Sequence, residues 1–264
     1  MPTALITGAS GGIGAVFARE LADRQMNLIL VARSQAKLEE LATRLRKEYK
    51  IQVEVLVKDL VEPGAARAVF EAISQKGLTV DLLINNAGFG DYGTFAERPL
   101  PKLTDMMQLN IIALVELTRL FLPAMQQRRS GSIINVSSIA GFQPLPYMSV
   151  YAATKAFVLN FSEALWAENR SLGIRIQALC PGPTKTNFFQ MAEFPQSNRP
   201  GDEPDAASPE DVVRQSLKAL ENNESTVVTG GLKNQVIVNL HRFFPRDTLA
   251  SAMEKPFRNL GSKN

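Results

Sequence analysis

Three side chains between residues 138 and 155 could together move a proton. Tyr151 and Lys155 lie four residues apart in an apolar, helix-favouring run from Tyr151 to Trp166, so one helix face would carry both. A phenol has an ordinary pKa of about 10, and a nearby cation lowers it toward the range useful for proton transfer. Ser138 follows a strand predicted over 133–136 and would add a hydroxyl. The trio suits proton transfer to or from a carbonyl or alcohol oxygen.

Each part of this trio also has a commoner explanation. A lone Tyr-x-x-x-Lys is frequent on helices, and Ser-Ser at a strand end is usually turn chemistry. The trio supplies no electron carrier, so a redox function requires a cofactor site elsewhere in the chain. The elements before residue 138 decide between the two interpretations.

The first candidate cofactor element is a glycine-rich turn near the N-terminus. A β-prone run, Thr3 to Thr7, leads into the turn, and a helix is predicted from Ala15 to Arg24. Glycines let the backbone approach a pyrophosphate, and a helix N-terminus offers free N–H groups. The spacing Gly8, Gly12, Gly14 differs from G-x-G-x-x-G, so the turn alone is also compatible with an ordinary glycine turn.

The second candidate element follows the strand predicted over 27–32. NAD-binding folds place an acid here to hold the ribose 2′-hydroxyl. This chain has Arg33 and Ser34, and no acid before Glu39. A cation suits a 2′-phosphate, which predicts NADP(H) as the cofactor. Alternatively, Ser34 caps the helix predicted over 34–47 and Arg33 is solvated.

Strands and helices alternate along most of the chain. Further strands are predicted over 51–57, 80–84, 174–179 and 225–229, with helices over 63–76, 102–122 and 210–221. The alternation predicts an α/β, Rossmann-type, doubly wound and mostly parallel seven-stranded sheet with helices on both faces. Ligands bind such sheets at the carboxyl ends of the strands. The residues that fall at these strand ends are Gly8, Arg33, Asp59, Asn86, Ser138 and Pro181.

Composition bounds the class of protein. The 264 residues are 45% hydrophobic and 21% charged, as in a globular domain. The formal charge of +3 is too small to imply nucleic acid without a basic cluster. Cys180 is the only cysteine and His241 the only histidine, so neither a disulfide nor a metal site is expected. No apolar run reaches the length of a membrane span and no signal peptide is recognised, so a cytoplasmic location is expected.

Six motifs in order make residues 3 to 230 resemble the short-chain dehydrogenase/reductase family. They are Thr7-Gly-Ala-Ser-Gly-Gly-Ile-Gly14, Asn85-Asn-Ala-Gly88, Asn110, Ser138, Tyr151-Ala-Ala-Thr-Lys155 and Pro181-Gly182. The resemblance implies one Rossmann-fold domain over 1–230, and a C-terminal helical extension, 231–264, is expected to pack on it. The stretch from Tyr151 to Pro181 is also loosely similar to the 3-ketoacyl and hydroxysteroid reductase branch.

The resemblance also implies residue roles. Tyr151 would be the general acid/base, Lys155 would lower its pKa and bind the nicotinamide ribose, Ser138 would orient the substrate oxygen, and Asn110 would hold a water in the proton relay. The expected cofactor-binding residues are Gly8, Ser10, Gly12, Ile13, Gly14, Arg33, Ser34, Asp59, Asn86, Ala87, Gly88, Tyr151, Lys155, Pro181, Gly182, Thr184 and Thr186.

The function expected is NADPH-dependent reduction of a carbonyl to an alcohol. A non-catalytic NADP(H) sensor on the same fold is the alternative, and epimerase or dehydratase chemistry would want a longer substrate domain. A small-molecule substrate and a homodimer or homotetramer are expected, with no nucleic-acid or membrane partner.

The loop over 183–208 is about twice the usual connection length and is predicted to close over the substrate. Its apolar side chains would face a second apolar wall, which favours a bulky apolar ketone or aldehyde over a charged oxo-acid. The alternative is that the aromatic side chains pack on the protein's own core. The loop members are Phe188, Phe189, Met191 and Phe194, the opposite wall is Phe89, Phe142, Leu145 and Tyr147, and the nearest charges are Lys185 and Arg199.

Apolar residues recur at helical spacing in the C-terminal extension. They are Leu232, Val236, Ile237, Leu240 and Phe243. Packing against the body of the protein or a second subunit is the expected use of this face. Contact with a membrane surface is the alternative, because the helix is amphipathic and slightly basic.

Overall fold

The computed structural model describes residues 1–261 and contains one seven-stranded sheet. All strand pairs are parallel, in the order β3-β2-β1-β4-β5-β6-β7, so the predicted fold class is confirmed. The strand order reverses between β1 and β4, which is where such sheets open a binding crevice. The strands are β1 Thr3–Thr7, β2 Asn27–Ala32, β3 Val53–Val57, β4 Leu82–Asn85, β5 Gly131–Val136, β6 Ile174–Pro181 and β7 Thr226–Thr229.

Helices cover both faces of the sheet. One apolar cluster joins it to α1, α2 and α8, and a second joins it to α3 and α5. The central strands are buried on both sides, as continuous apolar runs such as β1 require. The helices are α1 Gly12–Asp23, α2 Gln35–Tyr49, α3 Ala65–Gln75, α4 Leu100–Met107, α5 Leu114–Arg128, α6 Ser149–Asn169, α7 Phe188–Met191, α8 Pro209–Glu221, α9 Leu232–Asn239 and α10 Arg246–Gly261.

One predicted helix is interrupted. The sequence predicts a single helix over 102–122, but a π-helical turn, Gln108–Ala113, separates α4 from α5. Such turns occur often at functional sites, and this one contains Asn110. Asn110 is a weak helix former, which agrees with an interruption here. The apolar spacing of the sequence does not distinguish a π turn from a continuous α-helix.

The combined helical stretch Leu100–Arg128 is long and apolar enough to cross a membrane by length and composition. The expectation that no apolar run reaches the length of a membrane span is therefore wrong by length and composition. The finding is weak, because core helices pass the same test. Here Leu117, Phe121 and Met125 are buried against the sheet.

Two segments after β6 complete the fold around the binding crevice. The predicted loop over 183–208 contains α7 and two short 3-10 turns, Gln196–Asn198 and Pro200–Asp202. The extension after β7 forms α9, a 3-10 turn over Leu240–Arg242, and α10. Division of the chain at residue 230 stays a prediction.

Candidate active site

A cavity of about 970 Å³ lies over the carboxyl ends of the strands. Its position is the one that the reversal of strand order predicts. The predicted site residues that line it are Gly8, Ser10, Gly12, Ile13, Arg33, Ser34, Asp59, Asn86, Ala87, Gly88, Ser138, Tyr151, Lys155, Pro181, Gly182, Thr184 and Thr186. The structure therefore brings together residues that are up to 178 positions apart in the chain.

The glycine turn fits a pyrophosphate. Gly8 has φ +66° and Gly12 has φ +52°, values that favour glycine. A Cβ on Gly11 would meet nothing within 4 Å, so the turn leaves open space where a phosphate needs it. The N-terminus of α1 begins at Gly12 and directs its first backbone N–H groups toward that end of the cavity.

Two predicted site residues support the cavity from behind instead of lining it. A Cβ on Gly14 would come within 2.4 Å of the Gly8 oxygen, so this glycine permits the close approach of α1 to β1. Asn110 is buried, and its side chain bonds both the N–H (3.1 Å) and the C=O (3.0 Å) of Phe89. Its Nδ2 also donates to Thr154 Oγ1 at 3.1 Å. Asn110 thus clamps the loop after β4 to α6.

Asn86 has a comparable structural role. Its Nδ2 donates to the Thr7 oxygen at 2.9 Å, which ties the end of β4 to the end of β1. Thr7 Oγ1 in turn accepts from the N–H groups of Asn86 and Ala87. These bonds fix the floor of the cavity at the point where the strand order reverses.

The far end of the cofactor wall carries several cations. Arg33 is 67% exposed in its side chain and lies 3.7 Å from Asp59. Ser34 occupies the N-cap position of α2 but makes no side-chain capping bond, so the alternative interpretation holds for the solvated Arg33 and only by position for Ser34. Sequence reasoning missed Lys37 and Lys58, which line the same end. The sequence signal that could have identified them is their position, in the first turn of α2 and just after β3, at the same ends of the elements as Arg33 and Asp59.

Ser138, Tyr151 and Lys155 meet at the centre of the cavity. The Lys155 Nζ lies 5.7 Å from the centroid of the Tyr151 ring and donates to the Val136 oxygen at 2.8 Å. Ser138 forms a side-chain hydrogen bond with Tyr151, and its Oγ accepts from the Ala140 N–H at 3.1 Å. Tyr151 and Lys155 are both buried. The helical spacing predicted this convergence correctly.

The pKa of Tyr151 moves opposite to the predicted direction. Burial raises the pKa of Tyr151 to about 12, and the hydrogen bond with Ser138 only partly opposes this. Burial also lowers the pKa of Lys155 to about 8. The expected lowering by Lys155 is therefore absent, because removal of the phenolate from water outweighs a cation 5.7 Å from the ring. At neutral pH the phenol keeps its proton and can act as an acid.

The loop over 183–208 is called the lid here. Its aromatic side chains form a continuous row that begins at Tyr151. Ring centroids are 5.2 Å apart for Tyr151 and Phe188, 5.3 Å for Phe188 and Phe189, and 5.2 Å for Phe189 and Phe194. A Cβ on Gly90 would come within 2.7 Å of the Phe188 ring. All three phenylalanines line the cavity. Phe188 and Phe189 are half-buried, and Phe194 is buried in an apolar cluster.

The opposite wall differs in part from the prediction. Phe89 and Leu145 line the cavity. Phe142 instead packs with Leu159 and Cys180, because the 3-10 turn after Ser138 directs it into that small cluster. Tyr147 accepts a hydrogen bond from Arg258 at 3.2 Å and lies outside the cavity.

Sequence reasoning also missed four residues of this wall. Ile237 of α9 and Met253 and Phe257 of α10 line the cavity, so the extension contributes to it. Gln143 is 9% exposed, and its Oε1 has no partner among the described residues. No local pattern marked these positions, since long-range packing brings them to the cavity.

A four-membered ion cluster, Asp91, Arg98, Lys102 and Glu193, attaches the lid to the body. Asp91 is almost fully buried and contacts Arg98 (2.5 Å) and Lys102 (2.6 Å). Both cations also contact Glu193, at 2.5 Å, just after α7. The bonds from Lys102 and Arg98 lower the pKa of Glu193. The Tyr92 N–H donates to the Ala192 oxygen beside the cluster at 2.9 Å.

A dinucleotide cradle beside a buried serine, tyrosine and lysine defines a nicotinamide-dependent oxidoreductase. Residues 2–196 match the short chain dehydrogenase family. The chain belongs to that family and acts on carbonyl and hydroxyl groups, as the sequence resemblance implied.

Similar proteins agree with this assignment. The very-long-chain 3-oxoacyl-CoA reductase of Anas platyrhynchos is 36% identical over 222 residues, which cover 81% of this chain and 67% of that protein. A short-chain dehydrogenase from Sphingobium yanoikuyae, solved in complex with NADPH, is 34% identical with a TM-score of 0.82, and the match covers 95% of each chain. The bulky-bulky ketone specific alcohol dehydrogenase from Comamonas testosteroni is 32% identical with a TM-score of 0.78, over 95% of this chain and 94% of that one. The prediction of NADP(H) agrees with the Sphingobium complex.

Proposed function

We propose that this protein reduces a bulky, apolar ketone or aldehyde to an alcohol with NADPH. The observation that carries the proposal is the buried Tyr151, protonated at neutral pH and facing a cavity whose other walls are mostly apolar. The Sphingobium and Comamonas structures support the cofactor and the class of ketone.

Tyr151 donates the proton in this reaction. NADPH, when bound, supplies the hydride to the carbonyl carbon, and the carbonyl oxygen takes the phenolic proton to give the alcohol. A pKa of about 12 keeps the phenol protonated, which favours donation over abstraction. Ser138 orients the same oxygen, because its hydroxyl donates only a long bond, 3.5 Å, to the Pro181 oxygen and a substrate oxygen can replace that weak acceptor.

Lys155 supports both cofactor and acid. Its bond to the Val136 oxygen holds the ammonium beside Gly88, where a Cβ would lie 3.5 Å from the Nζ. An ammonium at this point would offset part of the cost that burial places on the phenolate as the proton leaves, although burial still raises the pKa of Tyr151 to about 12. Asn110 holds the loop that carries Phe89, and the remaining lone pair of its Oδ1 would be available to a relay water.

The cofactor is NADP(H). Arg33, Lys37 and Lys58 line one end of the cavity and would hold the adenosine 2′-phosphate of a bound NADP(H), and Asp59 would contact the adenine. A charge-assisted bond to that phosphate is worth about 1.5–3 kcal/mol before solvent screening, which reduces it because Arg33 is exposed.

The substrate is apolar and large. Burial of its surface against the row of phenylalanines gains about 25 cal/mol per Å², less the cost of ordering the lid. Lys185, the nearest lid cation in the wall, is exposed, so a charged oxo-acid would lose hydration without a buried partner.

The variant Tyr151→Phe tests whether the protein is an enzyme or a non-catalytic NADP(H) sensor. We expect turnover to fall at least about a thousandfold while NADPH affinity, measured by nucleotide fluorescence, stays within about twofold. Residual turnover within tenfold of wild type would identify another acid. Absence of turnover in the wild type on any carbonyl, with intact NADPH binding, would favour the alternative of a non-catalytic sensor.

Assembly and location stay predictions. A homodimer or homotetramer is tested by sedimentation velocity, and the exposed Met107, Ile112 and Phe157 on α4–α6 are available for it. A cytoplasmic location is tested by cell fractionation.

A further inference from the structure

Several apolar residues of the C-terminal extension are exposed on the single chain, so packing on the body of the protein accounts for only part of this face. Leu232 is 79% exposed and Phe243 is 78% exposed, and Val236 and Phe244 are also exposed. Ile237 and Leu240 are half-buried. Single exposed apolar residues need no explanation, but four within thirteen residues of the chain are unusual, and together they are called the patch here.

Two features show that the patch has a regular arrangement. Leu232 and Val236 are one helical turn apart and share one face of α9, and Phe243 follows the 3-10 turn after that helix. Phe243 and Phe244 occupy the turn between α9 and α10, with Arg242 before them and Pro245 and Arg246 after them, all exposed. An aromatic pair between two arginines suits an interface that is apolar on one side and anionic on the other.

The stretch of chain that carries the patch contains basic residues but no acidic ones. No acidic residue occurs between Glu224 and Asp247, while Lys233, Arg242 and Arg246 lie in that stretch. The acids near its two ends are Asp205, which contacts Lys233 at 3.2 Å, and Asp247. Positive charge here exceeds negative charge, whereas acids and bases nearly balance over the rest of the chain.

We propose that Leu232, Val236, Phe243 and Phe244, with Arg242 and Arg246, dock the protein on the surface of an anionic lipid bilayer. The apolar side chains enter the headgroup region and the arginines pair with lipid phosphates. The docking is peripheral and does not require any segment to span the bilayer.

A second copy of the chain fits the patch less well. A two-fold contact centred on the turn would bring Arg242 and Arg246 close to the same arginines of the other copy, with Asp247 as the one acid next to them. Four apolar side chains also give a small apolar area for a stable dimer. An anionic lipid surface would pair with the positive charge of the arginines and would also take up the exposed side chains of Phe243 and Phe244.

The docking surface is continuous with the cavity wall. Ile237 of α9 lines the cavity while Leu232 and Val236 of the same helix face solvent. Met253 and Phe257 line it from α10, on the other side of the Phe243–Phe244 turn. A protein docked through this turn holds its cavity near the bilayer, where apolar carbonyl compounds concentrate. The docking itself does not depend on the proposed function.

Flotation with vesicles tests the proposal on the full chain. We expect binding to phosphatidylcholine vesicles that contain about 30 mol % phosphatidylserine, and at least about tenfold weaker binding to phosphatidylcholine alone. The double variant Phe243→Ser/Phe244→Ser should lower the partition coefficient about tenfold, and Arg242→Gln/Arg246→Gln should lower it about tenfold or more. High salt should weaken wild-type binding as it screens the charge.

Phe95→Ser is the matched control, since Phe95 is 63% exposed on the body of the protein and lies outside the patch. It should bind vesicles as the wild type does. NADPH affinity checks that every variant is folded. Equal binding to neutral and anionic vesicles, no binding at all, or a dimer in sedimentation velocity that only the Phe243→Ser/Phe244→Ser variant dissociates would each overturn the proposal.

Discussion

The two walls of the cavity are held in place by different means. Backbone at strand ends forms most of the cofactor wall, where the Gly8 turn, Asn86 and Thr7 are joined by bonds between adjacent strands. Side chains from the lid, the loop after β4 and α10 form the substrate wall. The ion cluster and one bond, from Tyr92 Oη to the Phe257 oxygen (2.5 Å), join these segments. We conclude that cofactor binding and substrate selection can be changed separately.

Lys155 belongs to both functions, so its variant should produce the largest combined effect. We expect Lys155→Met to lower kcat/KM for the ketone at least about a hundredfold and to weaken NADPH binding. Because the pKa of Lys155 is lowered to about 8, the ammonium is lost as pH rises through that value. NADPH affinity should therefore fall above about pH 8 in the wild type.

Fluorescence titration of NADPH from pH 7 to pH 9.5 measures this fall, with Lys155→Met as the control that should lack it. An equal pH dependence in both proteins would assign the titration to another group.

A cofactor-wall variant should leave substrate selection unchanged. Arg33→Asp removes the cation near the 2′-phosphate and adds a carboxylate, which suits the 2′-hydroxyl of NADH. We expect about a tenfold or greater loss of NADPH affinity and improved use of NADH. The ratio of kcat/KM between a large and a small ketone should stay the same. Unchanged NADPH affinity would remove Arg33 from the site and leave Lys37 and Lys58 as the phosphate ligands.

A substrate-wall variant should show the converse pattern with a smaller effect. Glu193→Gln removes the lid carboxylate from the ion cluster while leaving Asp91 paired with both cations. We expect KM for a bulky ketone to rise about fivefold, with NADPH affinity unchanged, because a looser lid must be ordered by the substrate.

Arg24→Gln is the matched control for this variant, since it breaks an ion pair with Glu221 that is exposed and lies outside the cavity. It should leave KM unchanged. A similar rise in KM in both variants would show that the ion cluster has no specific effect on the lid.

The two walls also differ in how far the sequence predicts them. The bounds of β1 and β2 agree with prediction, because an apolar run followed by glycine or a charged residue defines a buried strand locally. Sixteen of the seventeen predicted cofactor-binding residues line the cavity, because most of them lie at or just after strand ends that the local sequence defines. The exception, Gly14, is a packing contact that requires knowledge of how closely α1 approaches β1.

The substrate wall depends on contacts that no local pattern encodes. Phe142 and Phe89 are both phenylalanines in loops after strands, yet only Phe89 reaches the cavity. Phe257 also reaches the cavity, although it lies 165 residues after Tyr92, whose hydroxyl donates a hydrogen bond to the Phe257 oxygen. The raised pKa of Tyr151 likewise depends on burial, which residue spacing does not measure.

The most direct test of the central claim is kcat/KM with NADPH for ketones graded in apolar bulk, beside a charged oxo-acid of matched size. We predict that kcat/KM rises with bulk in the wild type and that Phe188→Ala and Phe189→Ala raise KM more for large ketones than for small ones. Higher kcat/KM for the short, charged oxo-acids than for any apolar ketone would contradict the account.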